Sequence, residues 1–337
     1  MSDILLYDRQ PKKTVRCRIC RHQCTIVPGA RGICKVRENR DGELILLVDE
    51  IILAAGIDPI EKKPLYHLLP GSTSFSLASA GCNFSCSFCQ NADIAKFDDN
   101  NTGRFPGRRL LPVEAVQDAL AGSCRSISFT YTEPTVWFEY ALATARLASE
   151  AGLYNIFVTN GYITPDALGI IAPVLHAANI DLKGMTESFY NRLCGARLSE
   201  VLEGIRDYRR RGIWIEITTL IIPGENDDKE QLNSIARFIA DELGPDTPWH
   251  VSRFFPRHLM TDHKPTEPYS LKMAVEAGDR AGLRYIYEGN IADGRENTRC
   301  PHCGALVIRR CGYRVTENNL TDGSCGVCGE SIAGIWG

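Results

Sequence analysis

From about residue 72 the chain alternates short apolar runs with amphipathic helical patterns, and this alternation constrains the fold more than any other feature. Residues 74–80, 126–130, 155–159, 178–182, 213–222, 250–254 and 284–287 read as strands. Helical patterns at 113–121, 136–151, 165–175, 199–211, 229–243 and 271–281 separate most of them. A helical crossover lets successive strands run the same way, so the strands are expected to be parallel. Six or seven such units fit an α/β fold of the incomplete (β/α) TIM-like barrel type; a doubly wound sheet is the alternative. The 337 residues, 44% of them apolar, suffice for one such barrel with small appendages.

The appendages are rich in cysteine. Eleven of the fourteen cysteines fall into three groups, leaving Cys124, Cys194 and Cys311 outside. Residues 1–71 are expected to be an N-terminal Cys-rich module and linker, with the proline-rich stretch 59–71 leading into a barrel of residues 72–296. Residues 297–337 are expected to form a zinc-ribbon-like module. No secretory leader and no apolar run of about 18 residues is evident, so a cytoplasmic protein with no membrane partner is expected. In a reducing compartment, closely spaced cysteines read as metal ligands rather than disulfides. The net charge of −3 gives no overall field for nucleic acid.

The central group, Cys82, Cys86 and Cys89, follows the first barrel strand, on the face where βα barrels carry their chemistry. Three soft thiolates suit an iron–sulfur cluster with one open iron, or zinc completed by a distant ligand. Phe84 and Phe88 interleave with them and would limit access of water.

The run CNFSCSFC, residues 82–89, resembles the signature of radical S-adenosylmethionine (SAM) enzymes. The segments PLYHLLPG (from Pro64), FTYTEPT (from Phe129), VTNGY (from Val158), DLK (from Asp181), TTLIIPG (from Thr218) and WHVSR (from Trp249) extend the resemblance. Together they are similar to the radical SAM member of the AmmeMemoRadiSam system, a group related to pyruvate formate-lyase activating enzymes. The resemblance implies a [4Fe–4S] cluster on Cys82, Cys86 and Cys89 and reductive cleavage of SAM to a 5′-deoxyadenosyl radical that abstracts hydrogen. It implies a low-potential electron donor such as ferredoxin or flavodoxin, and Memo-like partners. Glycyl-radical activation or modification of a protein is the expected use, with a small-molecule substrate as the alternative.

The resemblance also implies SAM contacts at Phe88, Thr132, Glu133, Thr159, Asn160 and Lys183. Glu133 would meet the SAM ammonium, although Tyr131 and Thr132 stand where related enzymes carry two glycines. Without the resemblance, Glu133 also suits the N-terminus of a helix beginning near Pro134. Lys183 would meet the SAM carboxylate or pair with Asp181 or Glu187. His250, Ser252 and Arg253 are candidates to face the substrate.

Cys300, Cys303, Cys325 and Cys328 form two C-x2-C knuckles, the pattern of a tetrahedral structural zinc site, with Cys311 a spare core thiol. Cys17, Cys20, Cys24 and Cys34 supply four thiolates for zinc or a second [4Fe–4S] cluster, and zinc is the preferred expectation. His22 is expected not to be a ligand, and Arg16, Arg18 and Arg21 to stabilise the thiolates. Cys124 and Cys194 read as buried thiols, Cys194 being also a candidate catalytic thiol. A different class of function, a zinc-scaffolded binding protein, would use the basic patch Arg309, Arg310 and Arg314.

Overall fold

The computed structural model describes residues 5–96, 104–292 and 294–337. Its centre is one sheet of eight strands: β1 (Ala54–Pro59), β2 (Thr73–Ala78), β3 (Ser126–Phe129), β4 (Tyr154–Thr159), β5 (Ala177–Asp181), β6 (Trp214–Ile221), β7 (Trp249–Arg253) and β8 (Ile286–Gly289). They lie in sequence order, with β2 to β8 parallel and β1 antiparallel against β2. The edge strands β1 and β8 are not neighbours, so the barrel is incomplete, as expected.

Helices α1 (Pro112–Ala121), α2 (Phe138–Glu150), α3 (Pro165–Ile171), α4 (Leu198–Arg210), α5 (Lys229–Arg237) and α6 (Pro268–Ala281) supply the crossovers. In α4, Leu198, Val201, Ile205 and Tyr208 recur at helical spacing and are all buried, while Arg206, Arg209 and Arg210 lie off that stripe. Residue chemistry also sets several ends. Thr164 caps α3 by accepting from the Ala167 amide (3.2 Å), with Pro165 in the first turn. Asp228 does the same for α5 through Gln231 N (2.9 Å).

The stretch read as a linker is not one. Leu65, Leu68 and Leu69 are buried and pack with Ile156, Ala177 and Trp214 at the starts of β4, β5 and β6. The amides of Tyr66 and His67 donate to the buried Glu216 carboxylate (3.0 and 2.8 Å). This seals the lower end of the barrel, at the starts of its parallel strands.

The C-terminal module docks on the same end. Ile335 exchanges backbone bonds with His67 O and Leu69 N (both 2.8 Å), and Arg310 donates to Tyr66 O (2.7 Å). Arg310 is therefore buried and Arg309 pairs with Glu317, so Arg310 is not part of an exposed basic patch of the kind the alternative binding-protein reading would use. Cys311 is exposed rather than a core thiol.

The N-terminal module takes the opposite end. Cys20 bridges to Ile163 beyond β4, and Arg21 N donates to Tyr162 O (3.0 Å). Among the described residues, no helix is long and apolar enough to cross a membrane.

Candidate active site

The loop carrying Cys82, Cys86 and Cys89 leaves β2 at the C-terminal edge of the sheet. Its shape is imposed by a neighbouring turn. The amides of Ser85 and Ser87 donate to Cys194 O and Leu193 O (2.8 and 2.9 Å), at the end of the π-helical turn Tyr190–Cys194. Gly195 closes that turn at φ +66°, and a Cβ there would lie 2.3 Å from Ser85 Oγ. From another side, Leu259 N donates to Ser87 O (3.0 Å). Phe84 packs edge-on against Tyr162 with centroids 5.2 Å apart, and Phe88 packs tilted against Phe189 at 5.9 Å. Both phenylalanines are buried, forming an apolar wall beside the thiols.

The ends of β3 and β4 meet this loop through one carboxylate. Glu133 Oε1 accepts from Thr135 N (3.1 Å), Thr135 Oγ1 (2.5 Å) and Thr159 Oγ1 (2.8 Å), and Oε2 accepts from Asn160 N (2.9 Å). Glu133 thus caps the short turn Pro134–Trp137 and joins two strand ends. Burial raises its pKa above the usual carboxylate value, against these donors. Asn160 Nδ2 then reaches the cysteine loop, donating to Asn83 Oδ1 (2.7 Å) and lying 3.9 Å from Cys82 Sγ. Thr132 Oγ1 donates to Ser79 O (2.7 Å), fixing the start of the loop.

Lys183 sits beyond β5, with Nζ 2.7 Å from Asp181 Oδ2 and 5.9 Å from the Phe88 ring. Burial disfavours the ammonium, but Asp181 and the nearby Cys86 and Cys194 thiols outweigh it, so its pKa lies well above the ordinary lysine value. The structure therefore gathers Cys82, Cys86, Cys89, Phe88, Thr132, Glu133, Thr159, Asn160 and Lys183 at one edge of the sheet.

His250 is elsewhere. It is buried near the start of β7 and bonded to Glu216 (2.7 Å), so it does not face this edge. Arg253 ends β7 and donates to Thr266 O (2.7 Å). Ser252 is in the same strand.

Among the described residues, one cysteine quartet brings its ligand atoms within 4.8 Å of one another: Cys300, Cys303, Cys325 and Cys328. Cys300 and Cys328 sulfurs are 3.6 Å apart, and Cys303 and Cys325 sulfurs 3.8 Å. A tetrahedral zinc with Zn–S bonds of about 2.3 Å requires this spacing. Among the described residues, Cys82, Cys86 and Cys89 are not a group with that single-ion spacing. Among the described residues, Cys17, Cys20, Cys24 and Cys34 do not form a group of that kind, and the structure leaves the choice between zinc and a cluster there open.

Several contributors carry no local signal in the sequence. Arg16 bonds Gln23, Arg18 bonds Asp8 and Asp166, and Arg21 bonds Glu200 and Asp207. The cation beside the N-terminal thiols is Arg37, buried and paired with Glu139 (2.5 Å). Asn83, which joins the central loop to Asn160, carries no such signal either, whereas Cys194, read as a buried thiol and candidate catalytic thiol, is buried beside Cys86. Cys124 is buried, as expected.

The sequence profile of the Radical SAM superfamily matches residues 77–237. Uncharacterized protein MJ0808 of Methanocaldococcus jannaschii is 42% identical over 98% of this chain and 99% of its own length. The isethionate sulfite-lyase activating enzyme of Oleidesulfovibrio alaskensis is 25% identical over 50% of this chain and 55% of its own. Among solved structures, a radical SAM methyltransferase from Sphaerobacter thermophilus superposes with a TM-score of 0.52 at 16% identity, covering 70% of this chain and 71% of that one.

Proposed function

This chain belongs to the radical SAM superfamily, and from that premise we propose that it cleaves SAM reductively at a [4Fe–4S] cluster held by Cys82, Cys86 and Cys89, to abstract hydrogen from a protein segment. The observation that carries this reading is the meeting of the three-thiol loop with the Glu133–Thr159–Asn160 knot at the C-terminal edge of a parallel sheet. When bound, the cluster supplies a low-potential electron and SAM supplies the 5′-deoxyadenosyl radical.

The chain's own residues bind, orient and exclude water. The buried rings of Phe84 and Phe88 keep solvent from the thiols. Glu133, fixed by four donors, accepts the SAM ammonium, and Lys183, held by Asp181, meets its carboxylate. Thr132, Thr159 and Asn160 hold the strand ends on which these groups sit.

Two features favour a protein segment as substrate. The sheet does not close, so its edge gives lateral access. Phe255 and Leu259, exposed on a segment bonded to the cysteine loop at Gln90 and Ser87, give that access an apolar rim. Likeness to an enzyme named for activating a lyase points the same way. The finer placement in the AmmeMemoRadiSam group, with Memo-like partners, a cytosolic setting and a ferredoxin or flavodoxin as donor, belongs to this proposal. The C-terminal module, on the lower end of the barrel, is not a wall of the site.

The test is anaerobic reconstitution with iron and sulfide, followed by measurement of 5′-deoxyadenosine from SAM and dithionite. Wild-type protein is expected to form it, and Cys86→Ala to form none while keeping the C-terminal metal. Product from Cys86→Ala would refute the site. Stimulation by host extract is expected to be retained by a small-molecule cutoff membrane and lost on proteolysis; stimulation that passes the membrane would refute the protein substrate.

A further inference from the structure

The four N-terminal cysteines line one cavity together with Arg37 and Asn83. Cys17, Cys20 and Cys34 are buried, and Cys24 is partly so. The set has the ligand number of a closed metal site but not the spacing of one for a single ion. A tetrahedral ion with bonds of about 2.3 Å holds its sulfurs about 3.8 Å apart. The C-terminal quartet has that geometry, with 3.6 and 3.8 Å between paired sulfurs. The N-terminal quartet falls outside a 4.8 Å span, as do Cys82, Cys86 and Cys89. Within one chain, neither the N-terminal thiols nor the central three meet the single-ion spacing of the C-terminal quartet.

A second observation points to what fills the space. Asn83 is fully buried, and its Nδ2 has no hydrogen-bond partner, while its Oδ1 accepts from Asn160. An orphaned buried amide is costly unless an acceptor completes it. A cluster sulfide or a metal-bound thiolate is an anionic acceptor that would complete it. The Arg37 guanidinium, buried beside Cys17 and Cys34, supplies compensating positive charge.

We propose that Cys17, Cys20, Cys24 and Cys34 hold a second iron–sulfur cluster of the [4Fe–4S] class, with Asn83 donating to it, and that it passes electrons to the catalytic loop. The site assignment stands on geometry alone; the relay rests on the reading given under Proposed function. The link is short. His22, between Cys20 and Cys24, bonds the carbonyl of Asn83 (2.8 Å), the residue after Cys82. Gly81, the residue before Cys82, lies so close to the module that a Cβ there would be 2.7 Å from Val36 Cγ1 and 3.0 Å from Cys34 O. In the relay, a reduced iron–sulfur or flavin protein gives one electron to the N-terminal cluster. That electron then moves to the catalytic cluster, with no bond made or broken and no proton transferred.

The test uses the full chain, reconstituted anaerobically with iron and sulfide. Wild-type protein is expected to hold roughly eight irons and eight acid-labile sulfides, with about one zinc per chain. The triple variant C82A/C86A/C89A is expected to keep about four irons and, when reduced, a cluster signal in electron paramagnetic resonance. Adding C20A/C34A to the triple variant is expected to abolish that signal, and C20A/C34A alone to lose most 5′-deoxyadenosine formation with a protein donor and to keep it with dithionite. A wild-type count of about four irons and two zincs would overturn the assignment even with SAM cleavage intact, and needs no variant to fold. Equal loss with both donors, or with neither, would overturn the relay. A triple variant that keeps its iron beside a wild-type protein that does not cleave SAM would refute the proposed function while upholding this site.

Discussion

Glu133 accepts four hydrogen bonds from three residues on two strand ends, so its carboxylate is fixed before any ligand arrives. Such fixed acceptors bind a cation with little reordering. Glu133→Gln keeps the shape but removes the charge, and a charge-assisted bond contributes about 1.5–3 kcal/mol. The variant is expected to bind SAM roughly tenfold or more weakly with iron content unchanged, checked by equilibrium binding and iron assay on reconstituted protein. Loss of iron with unchanged affinity would contradict this role. Glu133, Thr159 and Asn160 were legible through the family resemblance carried by the FTYTEPT and VTNGY runs. Arg37 was not, because its partner Glu139 lies a hundred positions away and only the fold joins them. His250 misled for a similar reason: its residue type suggested chemistry, while its place near the start of β7 puts it at the other end of the barrel.

At the scale of elements, the cysteine loop is held from three sides: by the turn Tyr190–Cys194, by Leu259 and by the N-terminal module packed on Gly81. Gly81 sits at φ +95°, where side chains other than glycine are strained, and any Cβ would meet Val36 and the Cys34 carbonyl. Gly81→Ala is expected to destabilise the protein by about 2–3 kcal/mol and to lower iron retention. A urea midpoint and iron-to-protein ratio equal to wild type would show that this contact does not matter. Strands β2 to β8 and the helices were legible to within a few residues, because buried parallel strands are continuously apolar and their covering helices are amphipathic, whereas the half-exposed antiparallel strand β1 was not. The segment 59–71 was not, since its prolines and lysines suggest exposure. Yet Lys63 is buried, neutralised by Asp58 at 2.7 Å and stacked on Tyr131 at 4.4 Å.

Across the whole molecule, the two cysteine-rich modules occupy opposite ends of the barrel, and His67 fastens the lower one. Its Nδ1 bonds Ala333 O (2.6 Å) and its Nε2 bonds Tyr287 Oη (2.7 Å). Burial pushes its pKa down to about 4. An unfolded histidine titrates near 6.5, so the unfolded chain binds the extra proton between these values. The stability tied to the neutral ring is complete above about pH 6.5 and is lost as pH falls toward 4, on the order of 3 kcal/mol. Urea unfolding of the tail, followed by Trp336 fluorescence, is expected to show this slope in the wild type and a flatter one in His67→Gln. Equal slopes would remove His67 from this role. The backbone bonds between Ile335 and the His67–Leu69 stretch also bear on synthesis. On the ribosome, every barrel strand emerges before residue 335 can reach its partners. The Leu68–Leu69 edge on the underside of the barrel thus stays without its backbone partner until residue 335 has emerged, and a chain stalled before that point leaves this edge open to chaperones and proteases.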